Sequence, residues 1–204
     1  MRLAAIACRV FTRELSAAVA KCAHPVEVSW LPQGLHDTPD LLRARINATI
    51  DAIERADAEA PARRRLDAIV LCYGLCGGGL DGVRAGRLPL VVPRADDCIG
   101  ILLGSQKRYL DYLAARAGIY WYTPGWIEYA DTPSRVYYDA KLRDYTARFG
   151  AENAQWLLEQ ENTWIGAYES GIYIAPPACP SGAFEAFAQD AARMYGWRFE
   201  TVLG

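Results

Sequence analysis

Three cysteines far apart in the chain, Cys8, Cys76 and Cys98, each follow a stretch that reads as a buried strand. In a parallel α/β sheet the carboxyl ends of such strands lie on one edge, so thiols distant in sequence converge there. This differs from a zinc ribbon, whose ligands come in local pairs two residues apart. Thiolates are soft donors and select zinc, iron–sulfur or Cu(I) over magnesium or calcium. Three protein thiolates leave one coordination position open, the catalytic arrangement for zinc and, on a [4Fe-4S] cluster, a free iron for substrate. Cys98 starts a helix, where unpaired N–H groups and the macrodipole favour thiolate. Asp96 and Asp97 beside it oppose that charge, so the grouping makes most sense around a neutralising cation.

Around these thiols lie further candidates. The run Leu66 to Gly79 begins as a strand apolar on both faces and breaks into glycine and cysteine. Gly77 and Gly78 let the backbone approach a bound group. Their spacing is that of neither a dinucleotide fingerprint nor a P-loop. The plain alternative is a tight turn with two small buried hydrophobes. Cys72, four residues before Cys76, lies inside the strand or just reaches the site. Tyr73, Asp96 and Asp97 are the candidate proton-handling groups, with Tyr73 and Asp97 the catalytic candidates. Arg94 either holds an anionic group or pairs with Asp96. Thr123 and Trp126, in Thr123-Pro124-Gly125-Trp126, end another strand and either cover a ligand or form a type II turn with a packed tryptophan. His24 and His36 sit on early loops, Cys22 on an apolar helix stripe and Cys179 between prolines.

The elements that must position these residues alternate. Strands are expected at 2–8, Val26–Leu31, up to Cys72, Leu88–Pro93 and Ile119–Tyr122, one within 164–174 and one at Phe199–Leu203. Helices are expected from Thr12, from Thr38-Pro39 to about Ala58, over Ile99–Ala117, across about 132–161 with a break at Gly150, and from Pro180-Ser181. In the Ile99–Ala117 helix Leu102, Leu103, Leu110, Leu113 and Ala114 form the buried stripe. A short helical turn is expected over Asp81–Gly86. Regular alternation predicts an α/β fold: a three-layer, mostly parallel, Rossmann-like sheet with helices on both faces. With 204 residues and no linker or repeat, the expectation is one domain, 1–204, with a helical insertion around 132–161.

Bulk properties narrow the function. A net charge of −2, a pI near 5.7 and no basic stripe argue against nucleic acid as a partner. No apolar run is long enough to cross a membrane, and the apolar N-terminus is cut short by Arg9 and Arg13. A cytoplasmic protein is expected, its six cysteines serving as thiols or ligands rather than disulfides.

Cys8, Tyr73-Gly74-Leu75-Cys76-Gly77, Pro93-Arg94, Asp97-Cys98-Ile99 with Leu103-Gly104-Ser105, and Thr123-Pro124-Gly125-Trp126 together resemble the DUF1638 family over nearly the whole chain. That family tends to carry His-Asp-Cys where this chain has Asp96-Asp97-Cys98, so a histidine ligand or base is absent here. The resemblance implies the company of corrinoid-dependent methyltransferases in one-carbon pathways, not a mechanism. Two functions follow as expectations. One is a metal-binding protein, enzyme or methyl-handling factor, built on Cys8, Cys76 and Cys98 around zinc or [4Fe-4S]. Thiolate-bound zinc activates an incoming thiol for methyl transfer, whereas an open iron acts as Lewis acid or electron carrier. The other is a non-catalytic accessory protein that binds a corrinoid, a corrinoid protein or its methyltransferase, with Tyr120, Trp121, Tyr122 and Trp126 as its apolar face. A metal-free α/β domain with buried cysteines is the plain third reading.

Overall fold

The structure is a computed structural model that describes residues 1–204 apart from the side chain of Cys76. Its strands and helices alternate, and every strand pairing is parallel. The α/β class read from the sequence is therefore the class observed. The strands are shared between two sheets rather than gathered in one, and the chain divides into two compact units, 1–109 and 110–204.

The N-terminal unit contains β1 (Leu3–Cys8), α1 (Thr12–Lys21), β2 (Val26–Leu31), α2 (Pro39–Glu59), β3 (Ala68–Cys72), β4 (Leu90–Val91), α3 (Cys98–Leu102) and the start of α4 (Gln106–Ala115). Strand order is β2-β1-β3-β4. The central strands are buried because they are apolar on both faces: Ala4 to Cys8 in β1, and Ala68, Ile69 and Leu71 in β3. Helix α2 presents Leu42, Ile46 and Ile50, spaced by four and fully buried, to the core.

The polar side of α2 explains how the chain enters the sheet. Asp57 Oδ1 accepts the Leu66 N–H at 2.6 Å ahead of β3, and the same carboxylate pairs with Arg87. Glu54 Oε1 accepts the Leu88 N–H at 2.8 Å ahead of β4. Burial pulls the Asp57 carboxyl upward, but the Leu66 N–H and the Arg87 guanidinium outweigh it and hold it below its ordinary value. The loop between β3 and β4 is fixed from the same helix. Arg43 Nη1 donates to Asp81 O at 3.0 Å, and Asn47 receives the Arg84 N–H at 3.2 Å while donating to Gly82 O at 3.3 Å.

The C-terminal unit adds β5 (Ile119–Tyr122), α5 (Pro124–Tyr129), α6 (Arg135–Phe149), α7 (Ala151–Glu161), β6 (Ser170–Ala175), α8 (Gly182–Tyr195) and β7 (Arg198–Leu203), in sheet order β5-β6-β7. Tyr122, Tyr173, Ala188, Ala191, Ala192 and Trp197 form its core. The alanines of α8 let that helix lie close on β6, where a Cβ at Gly171 would stand 3.2 Å from that of Ala192. The expected break at Gly150 separates α6 from α7, at a φ of 80° that favours glycine. Lys141 Nζ ties the two helices by donating to Glu161 Oε1 at 3.0 Å.

Several expectations need correction. The helix foreseen over Ile99–Ala117 is two helices, parted at Leu103–Ser105 where Gly104 takes a φ of 69°. The division between units falls inside the second, and Leu110 and Leu113, expected in the core, are 48% and 46% exposed. Periodicity located an apolar face there but could not say what covers it. Cys22 caps the C-terminus of α1 and is exposed rather than core, because α1 buries no residue. The fourth strand shrinks to Leu90–Val91, since Pro89 and Pro93 cannot donate to a ladder. The helical turn expected at Asp81–Gly86 is irregular, and a 3-10 turn forms earlier, at Cys76–Gly78. Among the described residues, no helix is long and apolar enough to cross a membrane.

Candidate functional site

The register of the N-terminal sheet decides which residues share its carboxyl edge. Ala7 pairs with Cys72, so the next position sets Cys8 beside Tyr73. Paired positions in parallel strands point to the same face and successive positions alternate. Cys8 and Tyr73 therefore share one face, and Cys72 points to the other. Cys8 is 8% exposed and Tyr73 3%. Burial pushes the Cys8 thiol above its ordinary value, an effect that the nearby Val10 N–H and Tyr73 partly offset. The Val10 N–H is available because Cys8 stands just before a 3-10 turn, Arg9–Phe11, that leads into α1. Cys72 is a free thiol pushed up by burial alone.

Beyond β3 and β4, two turns meet. Leu75 N–H donates to Ala95 O at 3.0 Å, which continues the β3–β4 pairing past the strand ends. Gly74 lies so close to the second turn that a Cβ there would stand 2.5 Å from Asp97 Cα. Only glycine permits that approach. The turn carrying Cys76 and the turn carrying Asp96, Asp97 and Cys98 are thus packed backbone to backbone. Gly77 and Gly78 take φ of 62° and 89° in the first of them. The side chain of Cys76, the expected second ligand, lies outside the described residues.

Asp97 and Cys98 divide the work at the head of α3. Asp97 is the N-cap: its Oδ1 accepts the Ile99 N–H at 2.8 Å and the Gly100 N–H at 3.1 Å. Cys98 follows at the first helical position, partly exposed. The Tyr109 hydroxyl bonds to Asp97, and burial together with that carboxylate pushes the phenol up. Asp96 is held by Gln106, whose Nε2 donates to Asp96 Oδ2 at 2.6 Å while its Oε1 accepts the Asp96 N–H at 3.0 Å. Gly100 makes room for this, because a Cβ there would stand 2.5 Å from Gln106 Oε1. Arg94 is exposed and, among the described residues, makes no ion pair; Asp96 bonds to Gln106 instead.

Thr123 and Trp126 belong to the C-terminal unit. Thr123 is fully buried and is the N-cap of α5, accepting the Trp126 N–H on its Oγ1 at 3.1 Å, with Pro124 at the first helical position. The Thr-Pro-Gly-Trp segment is therefore a helix start rather than a type II turn.

Of the expected site residues, Cys8, Tyr73, Gly77, Gly78, Asp97 and Cys98 lie in or beside the turns at this edge. Among the described residues no three histidine, cysteine, aspartate or glutamate side chains are grouped as metal ligands. Sequence reasoning missed Gly74, Gly100, Gln106 and Tyr109. The signal for Asp97 as a cap was present, an aspartate directly before an apolar helix start. Gln106 had none, since its bond to Asp96 spans a helix and a turn.

Residues 30–204 match a family described as "Protein of unknown function (DUF1638)". No curated protein matches the chain.

Proposed function

The chain belongs to the DUF1638 family, and we propose that its N-terminal sheet edge is a soft-metal site with Cys8, Cys76 and Cys98 as ligands. The observation that carries this reading is the backbone contact of Gly74 with Asp97, which packs the Cys76 turn against the Cys98 turn at the edge where β1 ends in Cys8. A glycine-only approach of two cysteine-bearing turns costs conformational freedom. A shared ligand offsets that cost better than a solvated loop does. The donors suit the ligand: Cys8 is buried at the end of β1 with the Val10 N–H and Tyr73 beside it, and Cys98 stands at a helix start. Zinc or a [4Fe-4S] cluster fits three thiolates, and either would supply Lewis-acid chemistry at its open position. Tyr73, against Cys8, is the group best set to hold a proton beside the metal. Asp97 Oδ1 is occupied by the helix cap. The proposed role is methyl-group or one-carbon chemistry alongside a corrinoid protein or corrinoid methyltransferase.

The test is metal and sulfide content on protein purified without oxygen, with the visible spectrum. Iron with sulfide and a brown absorbance, lost in Cys8→Ala or Cys98→Ala, supports the cluster. Stoichiometric zinc lost in the same variants supports thiol activation. Metal-free protein from cells supplied with both metals defeats the reading.

A second reading is favoured by one observation. Leu75 in the first turn is 49% exposed, and Val91 and Val92 at the end of β4 are 52% and 37% exposed. A contiguous exposed apolar patch marks a surface that a partner covers, and these side chains are the candidates for one at this edge. A non-catalytic accessory protein, seating a corrinoid or its carrier protein on these residues, accounts for them. Copurification of a corrinoid chromophore that survives loss of the metal distinguishes it from the first reading.

A further inference from the structure

The Asp96–Cys98 turn is held by a contact separate from the helix cap. Gln106 closes a two-point clamp on Asp96, accepting its N–H at 3.0 Å and donating to its carboxylate at 2.6 Å. Helix α3 has its cap from Asp97 without this clamp. The clamp needs Gly100, since any Cβ there would meet the Gln106 carbonyl oxygen at 2.5 Å. The turn is also held by the close approach of Gly74 and by the Leu75–Ala95 hydrogen bond. Held at Ala95, Asp96 and Asp97, the turn has its backbone fixed immediately before Cys98.

We propose that Gln106 is the positioning residue of the thiol site: through Asp96 it locks the Cys98 turn against the Cys76 turn so that the thiols meet a metal in one fixed geometry. This rests on the soft-metal reading above and extends it from the ligands to what orients them. Groups that orient metal ligands through hydrogen bonds typically change metal affinity by roughly 10–100-fold when removed. Among the described residues Gln106 bonds to Asp96 and not to a thiol, so it acts through the turn.

The experiment has two arms, run on the full chain. In the first, amide hydrogen exchange is followed at Asp96 and Leu75. Gln106→Leu should speed exchange at Asp96 by roughly fivefold, the loss of about one net hydrogen bond. In the second, cobalt(II) is titrated anaerobically into metal-free protein, and the thiolate-to-cobalt charge-transfer absorbance is read. Gln106→Leu should weaken cobalt binding by roughly tenfold or more. Asp96→Asn combined with Gln106→Glu exchanges donor for acceptor across the clamp and should restore both exchange and affinity. Unchanged exchange in Gln106→Leu overturns the proposal. So does faster exchange with cobalt affinity unaltered, which leaves Gln106 a merely structural tie, and so does a double variant that regains protection but not affinity. If the unaltered protein binds no cobalt, it is the soft-metal reading that fails, and the exchange arm alone then decides whether Gln106 locks the turn.

Discussion

The two sheets end in opposite ways at their carboxyl edges. In the N-terminal unit β1 and β3 run out into Cys8 and Cys72-Tyr73-Gly74, and the helix after β4 is capped by Asp97, which leaves the next position to Cys98. In the C-terminal unit β5 runs out into Thr123, which caps the following helix itself, and Tyr122 before it closes its hydroxyl on Pro133 O at 2.8 Å inside an aromatic core. One edge assigns its polar side chains to stability. The other assigns stability to backbone, carboxylates and glycines, and keeps thiols where ligands are held in parallel sheets. Topology alone did not distinguish them; residue type at the strand ends did.

The largest effect expected from this contrast lies in the C-terminal unit. Tyr122 is fully buried and hydrogen-bonded, so Tyr122→Ala leaves both a cavity and an unpaired carbonyl. A loss of about 3–5 kcal/mol is expected, read from thermal or denaturant unfolding, with metal content per folded chain unchanged. If metal content falls in step, the two edges are not independent and the contrast breaks. Next comes Gly74→Ala. Its Cβ would stand 2.5 Å from Asp97 Cα, so the two thiol-bearing turns must part. A cost of about 1–3 kcal/mol is expected, together with loss of the metal; full retention of metal would show that the close approach does not serve the site.

Acid should weaken the N-terminal unit through Asp57. The Asp57 carboxyl lies below its ordinary value of 3.8 when folded, so its contribution to stability is present above that value and is lost as pH falls through and below it. Unfolding followed by chemical denaturant between about pH 5 and pH 2 should show stability falling with pH. Asp57→Asn should start lower and fall less steeply. A parallel slope in the variant would mean that other carboxylates carry the dependence. Thr123→Ala removes the cap of α5 and should cost about 1 kcal/mol, with no effect on metal, because Thr123 accepts a backbone N–H.

Much of this was legible in the sequence, and the limits are physical. Val26–Leu31 and Ile119–Tyr122 are strands to the residue, and Gly150 breaks the helical region where expected, because local pattern and glycine dominate there. The partition into two sheets was not legible, since alternation fixes parallel pairing but not which strands pair. Leu110 and Leu113 show the same limit: an apolar stripe in a sequence does not say whether anything covers it. At the N-terminal sheet edge, the places of Cys8 at the end of β1 and of Cys98 at a helix start were legible. The residues that hold the two turns there were not, because Gln106 to Asp96 and Gly74 to Asp97 are tertiary contacts with no periodic signature.

The smallest expected effect is the sharpest on assignment. Cys72 is the thiol nearest in sequence to Cys76, yet register and strand alternation turn it to the face opposite Cys8 and Tyr73. Cys72→Ala should therefore leave metal stoichiometry and cobalt affinity unchanged, whereas Cys8→Ala, on the other face, should abolish both. Each substitution removes one partly or fully buried sulfur, for a stability cost of roughly 1 kcal/mol. Stability thus cannot mask the comparison. Equal loss of metal in both variants would mean that the site draws ligands from both faces of β3, and the three-thiolate assignment would give way to one that includes Cys72.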